Sequence, residues 1–162
     1  MEDSDTVAVA RNFLRLVEEG PVPTERQLLK ALDELAVAYH QTPAGDPDDG
    51  DSIPPERDWK AYKERHERLG KRFPDCGYYA VSNPTGALNE LAMVGDAIDD
   101  LADISADLDQ VLWRFENVGA DDAHWHFRFL FEMHWGMHLR ELSLYLHARA
   151  LRSSEDDGDP ER

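Results

Sequence analysis

From Phe127 to Leu139 the chain is apolar almost all the way round a helix, yet it carries His134 and His138 one turn apart and Glu141 one turn beyond. In a water-exposed protein a helix that is apolar on every face has to be surrounded by other helices. A chain containing this stretch is therefore expected to fold as a helical bundle with the stretch at its centre, and its polar residues must be met by neighbours. The helix should run from about Ala123 to Arg152, after Gly119 breaks the chain and Asp121 or Asp122 caps the start. Leu142, Tyr145, Leu146 and Leu151 then restore a one-sided stripe, and an acidic tail from Ser153 to Arg162 is expected to be disordered.

The neighbour with matching chemistry is the stretch that opens at Gly95-Asp96 and continues to about Asn117. Ile98, Leu101, Ile104, Leu108, Val111, Leu112 and Phe115 form its apolar face, and Asp96, Asp100, Asp103 and Asp107 stack on an adjoining face at about 100° per residue. Like charges at that spacing weaken an isolated helix by a few tenths of a kcal/mol each. Only Asp96 and Asp99 lie early enough for the helix dipole to offset this, so the others face water or have cationic partners.

Three further helices precede it. Val7, Ala10, Phe13, Leu14 and Val17 recur at helical spacing between Ser4 or Asp5 and Glu19, and Gly20, Pro21 and Pro23 end that helix. Thr24-Glu25-Arg26-Gln27 is a capping-box pattern that opens a second helix to about His40, with Leu28, Leu29, Leu32, Leu35, Ala36 and Tyr39 on its inner face. The short link between the two predicts an antiparallel hairpin. Gln41 to Pro55 is a Pro/Gly/Asp-rich loop, expected to be a solvated and flexible crossover. Its run Asp46 to Asp51 resembles a calcium loop only superficially, because Gly50 falls on a ligand position and no registered bidentate glutamate follows. A third helix, Glu56 to about Lys71, carries Trp59, Tyr62, His66 and Leu69 on one stripe and six basic residues elsewhere, which suit an acidic surface of the fold or of a partner. His66 reads as a hydrogen-bonded structural histidine. From Phe73 to Gly95 the helical period disappears, Tyr78 to Val81 has the content of an extended segment, and a lone strand cannot make a sheet. An extended connection over the bundle is expected there, with a short helical turn at Ala87 to Met93.

Charge and cysteine usage exclude several functions. The 162 residues include 34 acidic and 17 basic ones, a formal charge of −17, which repels nucleic-acid phosphates and anionic lipid and suits a basic protein partner. Cys76 is the sole cysteine, so there is no internal disulfide and no cysteine-rich zinc module, and a reducing cytoplasm is the expected setting. The acidic start is unlike a signal peptide, and no uncharged apolar stretch approaches the eighteen or so residues of a membrane span. No GxSxG elbow, phosphate-binding glycine loop or thiol-catalysis pattern occurs, so no catalytic residue is assigned and no cofactor is predicted.

The candidate polar site is Asp100, Asp103, His134, His138 and Glu141, supported by Asp96, Asp107, Trp135 and Gly136. Two histidines a turn apart can bind a transition metal, with Asp100 and Asp103 as oxygen ligands from the neighbouring helix. There is neither an HExxH motif nor the paired ExxH of di-iron carboxylate bundles. The alternative is structural: the ring N–H groups of His134 and His138 bond to Asp100 or Asp103 and fix the register of the two helices. Gly136, which costs a helix interior about 1 kcal/mol relative to alanine, calls for a close approach or space for a ligand. His124 and His126 lie on opposite sides of a helix and cannot chelate together, and His124 reads as a surface residue of the first turn. Trp113, Trp125 and Trp135 read as core.

Arg72-Phe73-Pro74, Gly77-Tyr78-Tyr79, the run Asp99 to Ile104, Asp107-Leu108, Trp125 with Phe127 and Phe129, and His134-Trp135-Gly136 with His138 resemble the pattern of a bacterial family, domain of unknown function 5063. The resemblance covers about Arg72 to Leu151 and departs at Ser105 and Ala106, where the family often carries a tyrosine and a basic residue. It implies a small helical protein of unassigned activity in which the aspartate and histidine motifs belong together. The sequence thus predicts a single all-α domain over residues 1–152, a bundle of about five helices with the last one central. The leading functional expectation is a non-enzymatic acidic binding or adaptor protein held by an Asp/His/Trp polar layer. The rival is a metal or small-molecule site between the fourth and fifth helices.

Overall fold

The computed structural model describes residues 5–156, and it is all-α with one small two-stranded sheet. Helices α1 (Asp5–Glu18) and α2 (Glu25–Gln41) form the expected hairpin, with Val7, Ala10, Phe13 and Val17 facing Leu28, Leu32 and Leu35 in the core. Each such side chain removed from water contributes about 1.5–3 kcal/mol before entropy is counted. The capping box forms as read: Gln27 N–H donates to Thr24 Oγ1 at 3.2 Å and Thr24 N–H to Gln27 Oε1 at 2.9 Å. Ser4, a candidate cap for α1, lies outside the described residues.

Residues 42–58 hold no helix or strand, but they are docked, against the expectation of a free crossover. Asp46 N–H donates to the Asp121 carbonyl (3.2 Å) and Asp48 N–H to Asp122 Oδ1 (2.9 Å). Gly45, at φ +66°, lies so close to the start of the helix beneath it that a Cβ would stand 2.3 Å from the Asp121 carbonyl oxygen. Asp122 is buried and also pairs with Arg114 at 3.0 Å, so it anchors this loop instead of capping a helix.

Helix α3 (Trp59–Arg72) starts three residues later than the periodicity suggested, because Asp58 caps it by accepting from Lys60 N–H at 3.0 Å. Its basic side turns to acidic groups of the same fold: Arg65 forms ion pairs with Glu18 (2.8 Å) and Asp109, and Arg68 with Glu18 at 3.3 Å. Arg72 caps α1 by donating to the carbonyls of Leu16, Glu19, Gly20 and Pro21. Strand β1 (Tyr78–Val81) finds the partner that the sequence reading lacked, β2 (Met93–Asp96), in an antiparallel pair with Tyr78 opposite Asp96 and Val81 opposite Met93. The connecting stretch forms turns at 84–85 and 88–89 and no helical turn.

Helix α4 (Ala97–Asn117), capped by Asp96, packs against α1, α3 and a long C-terminal rod. The rod comprises α5 (Ala120–Leu130), a π-helical turn (Phe131–Trp135) and α6 (Gly136–Asp156). It starts at Ala120, three residues before the expected boundary, and continues past Ser153 to Asp156, while 157–162 lie outside the described residues. Trp135, Leu139, Leu142 and Leu146 are buried along it, but Phe129, Met133, Met137 and Leu144 face solvent, so the rod is covered on one side only and the expectation of a central last helix is not met. The central helix is α4, which meets α1, α3 and the rod. Among the described residues no helix is long and apolar enough to cross a membrane.

Candidate functional site

The rod and α4 run antiparallel, so the aspartate stripe meets the two histidines in reverse order. His138 Nδ1 lies 2.8 Å from Asp100 Oδ1, and His134 Nδ1 lies 2.6 Å from Asp107 Oδ2. A carboxylate can only accept, so both Nδ1 atoms carry the proton and both Nε2 atoms point the other way. They point at Asp103, which stands between the two pairs: its carboxylate is 3.5 Å from His138 Nε2 and 4.0 Å from His134 Nε2. One donor atom from each of Asp103, His134 and His138 lies within 4.8 Å of the others. The imidazole rings meet edge to face, 4.9 Å between centroids.

Each of these parts has a local cause. Asp100, Asp103 and Asp107 share a face of α4 because steps of three and four residues nearly complete a turn. His134 lies in the π turn, where Gly136 N–H reaches the Phe131 carbonyl five residues back, and His138 follows in the first turn of α6. A Cβ on residue 136 would stand 2.4 Å from that carbonyl oxygen and 3.0 Å from the Phe131 ring. The glycine is thus required by the close approach, and the wide turn supplies the one-residue offset that a regular α-helix lacks.

Three residues that the sequence reading did not include complete the site. Arg57, from the loop before α3, donates to Asp107 and approaches Asp103 at 4.0 Å. Tyr79 of the hairpin donates its hydroxyl to Asp100 and stacks on Tyr145, 4.6 Å between centroids. Tyr62 of α3 donates to Asp99. Both tyrosine hydroxyls are held well above their ordinary range, first by burial and then by these carboxylates. The signal for Tyr62 was its place on the α3 stripe, and for Tyr79 the isolated extended segment; Arg57 carried none beyond its charge in an acidic chain.

The other candidates divide. Asp96 serves as the cap of α4 and lies 3.5 Å from His66, away from the paired histidines. Glu141 stands behind the site, its carboxyl raised by burial and then by Asp100, outside the Asp103–His134–His138 triad. Trp135 departs from the expected Asp/His/Trp layer: it is fully buried behind it, edge-on to Phe127 and Phe131, and its indole N–H has no hydrogen-bond partner among the described residues. His124 is not a surface residue but buried, because the 42–58 loop covers the start of α5.

Electrostatically the two histidines differ. The hydrogen bond to Asp100 raises His138 against its burial, whereas burial, aided by His138 and Arg57, lowers His134. Burial raises Asp103. With both imidazoles neutral, two lone pairs and a carboxylate face one another, with the Arg57 guanidinium 4.0 Å from that carboxylate. The site is open on one side: His134 and His138 side chains are 35% and 24% exposed. Asp103 and Arg57 also line a groove of about 750 Å³ between α3 and α4, walled by Trp59, Tyr62 and Trp113. Geometrically this can hold a proton, as a His138 imidazolium, or a metal ion with coordination positions left over.

The fold is similar to a crystal structure of protein BF1032 from Bacteroides fragilis, with a TM-score of 0.68, 21% identity and 88% of each chain covered. No functionally curated protein matches the chain. Residues 2–151 match the family model described as Domain of unknown function (DUF5063), so the hydrogen-bonded aspartate and histidine motifs belong to a member of that family.

Proposed function

We propose that this protein is a divalent-metal-binding helical bundle whose ligands are Asp103, His134 and His138. The observation that carries the reading is the convergence of two Nε2 atoms on one carboxylate while both Nδ1 atoms are held by buried aspartates. Metal-ligating histidines usually donate their other ring N–H to a carboxylate, which fixes ring and tautomer and raises ligand basicity. Asp100 and Asp107, 3% and 0% exposed, are placed for that task. Ligand atoms each about 2.1 Å from one ion stand roughly 3–4 Å apart, so a donor set within 4.8 Å closes by about 1–2 Å at most on binding. Two histidines and one carboxylate suit a first-row transition ion and leave positions for water or another ligand, the pattern of reactive rather than purely structural sites.

The competing reading is an acidic cytoplasmic adaptor for a basic partner, with the same residues acting as a register lock between α4 and the rod. The direct Asp–His hydrogen bonds favour it. Metal analysis decides between the two. Tag-free protein incubated with zinc, manganese or ferrous iron and then desalted should retain about one equivalent of one of them, and His134→Ala with His138→Ala should retain none while staying helical. Wild-type protein that retains no metal and gains no thermal stability from any of the three ions would sink the metal reading and leave the register lock.

A further inference from the structure

The groove beside the triad has an unusual wall. Trp59 is 74% exposed, yet it lies parallel to Tyr62 at 5.7 Å and 17°, and Tyr62 is pinned by its hydroxyl to Asp99. A large aromatic face is thus held rigidly open to water, opposite Trp113 of α4. Exposed aromatic surface of this kind marks a binding site more often than it marks a stable free surface. Ala106, at one of the positions where the sequence departs from the family pattern, forms part of the floor and leaves room above it.

The charges along the rim are not symmetrical in what they have left to offer. Its five carboxylates are engaged: Asp109 by Arg65, Asp99 by Tyr62, Glu64 by Lys60 at 3.7 Å, Asp58 by the first turn of α3, and Asp103 by His138 at 3.5 Å and Arg57 at 4.0 Å. The side chains of Arg57 and Arg68 are 45% and 60% exposed, and each meets carboxylates through only part of its five-donor fork. Unused donors next to an aromatic platform select a flat apolar molecule with a negative end.

We infer that the groove binds an aromatic carboxylate, its ring on Trp59 and Trp113 and its carboxylate on Arg57, within reach of the open side of the Asp103–His134–His138 triad. The inference rests on the metal reading in one respect, the second contact of the carboxylate, which an ion at the triad supplies. The ring and Arg57 contacts belong to the chain itself.

The probe is 2-naphthoate, followed by calorimetry against zinc-loaded and chelator-treated protein, with 2-naphthylmethylammonium as the opposite charge. One saturable site is expected in both preparations, at least tenfold tighter with zinc. Trp59→Ala and Arg57→Gln should each weaken it about tenfold or more, and the ammonium should bind at least tenfold more weakly than the carboxylate. If Arg57→Gln fails to fold, Trp59→Ala, at an exposed position, and the ammonium probe bear the comparison. Absence of binding in both preparations, tighter binding of the ammonium, or full affinity in Trp59→Ala overturns the inference. Binding that depends on Trp59 and Arg57 in protein that takes up no zinc upholds the groove and removes only the metal.

Discussion

At residue 136 two opposed rules can be weighed. Alanine in an exposed helix interior is about 1 kcal/mol better than glycine. Here a Cβ would press on the Phe131 carbonyl at 2.4 Å, and carbonyl and ring are both packed. The clash dominates, so Gly136→Ala is expected to cost about 1–3 kcal/mol, the usual range for overpacking, measured as a lower urea midpoint with unchanged slope. A gain in stability would show that the π turn relaxes freely. His138 sets a second test. Its pKa is raised by Asp100, so the stabilisation of the His138–Asp100 pair is fully present below the unfolded value of 6.5 and is lost as pH rises through the higher folded value. His134 is lowered and acts oppositely: its contribution is complete above 6.5 and is lost as pH falls through the folded value. A metal at Nε2 needs both rings neutral, so uptake displaces the proton of His138 first. Zinc affinity, measured against a chelating dye between pH 6 and 8, is expected to weaken about tenfold per unit below the raised His138 value. A flat profile would mean that His138 is not a ligand.

Among the elements, the short hairpin and the π turn are the two that periodicity could not reveal, and both act on the site. A stretch that is apolar on nearly every face has no phase in which one extra residue could be read, so Phe127 to Leu139 reads as plain α-helix although Gly136 marks the place. Met93 to Asp96 gives no strand signal in the sequence because β2 has two exposed residues followed by two half-buried ones and lacks the alternation of a half-buried strand. The helices and the capping box at Thr24 were legible, since each depends on local spacing; the partners of the histidines were legible only in part, because His138 takes Asp100 but His134 takes Asp107 and not the expected Asp100 or Asp103. Arg57 was not, because a loop residue reaches Asp107 by tertiary packing alone. The hairpin's contribution can be isolated. Tyr79 places its hydroxyl on Asp100, a carboxylate 3% exposed that also holds His138. Tyr79→Phe keeps the ring stacked on Tyr145 and removes that donor, and it is expected to cost about 1–3 kcal/mol, the range for a buried acceptor deprived of a partner. Chemical denaturation measures it, and an unchanged midpoint would mean that water replaces the hydroxyl.

For the whole molecule the charge of −17 is the dominant fact, and the fold concentrates part of it. Asp99, Asp100, Asp103 and Asp107 stand on one stretch of α4 with Arg57 as their nearest guanidinium, so the α4–rod seam stores repulsion that hydrogen bonds from tyrosines and histidines only partly offset. Asp103 expresses this most clearly. Burial raises its carboxyl, and a raised acid stabilises the fold below its unfolded value of 3.8 and costs stability as pH rises through the folded value. A divalent ion placed among Asp103, His134 and His138 removes that cost at neutral pH and ties α4 to the rod at three points. Metal binding to the folded state alone is worth RT ln(1 + [L]/Kd), about 2.7 kcal/mol at a hundredfold excess over Kd. For a domain of this size that shifts the melting midpoint upward by several degrees. Zinc is therefore expected to raise the midpoint of the wild-type protein at pH 7.5, and a chelator to reverse the rise completely. Asp103→Asn should show the opposite balance: a metal-free form at least as stable as the metal-free wild type, because the raised carboxyl is gone, and little or no response to zinc. Calorimetric melts of the two proteins with and without zinc measure both effects. A zinc shift retained in Asp103→Asn would place the ion elsewhere, whereas a metal-free Asp103→Asn that melts well below the wild type would make Asp103 a bonded strut of the seam instead of a waiting ligand.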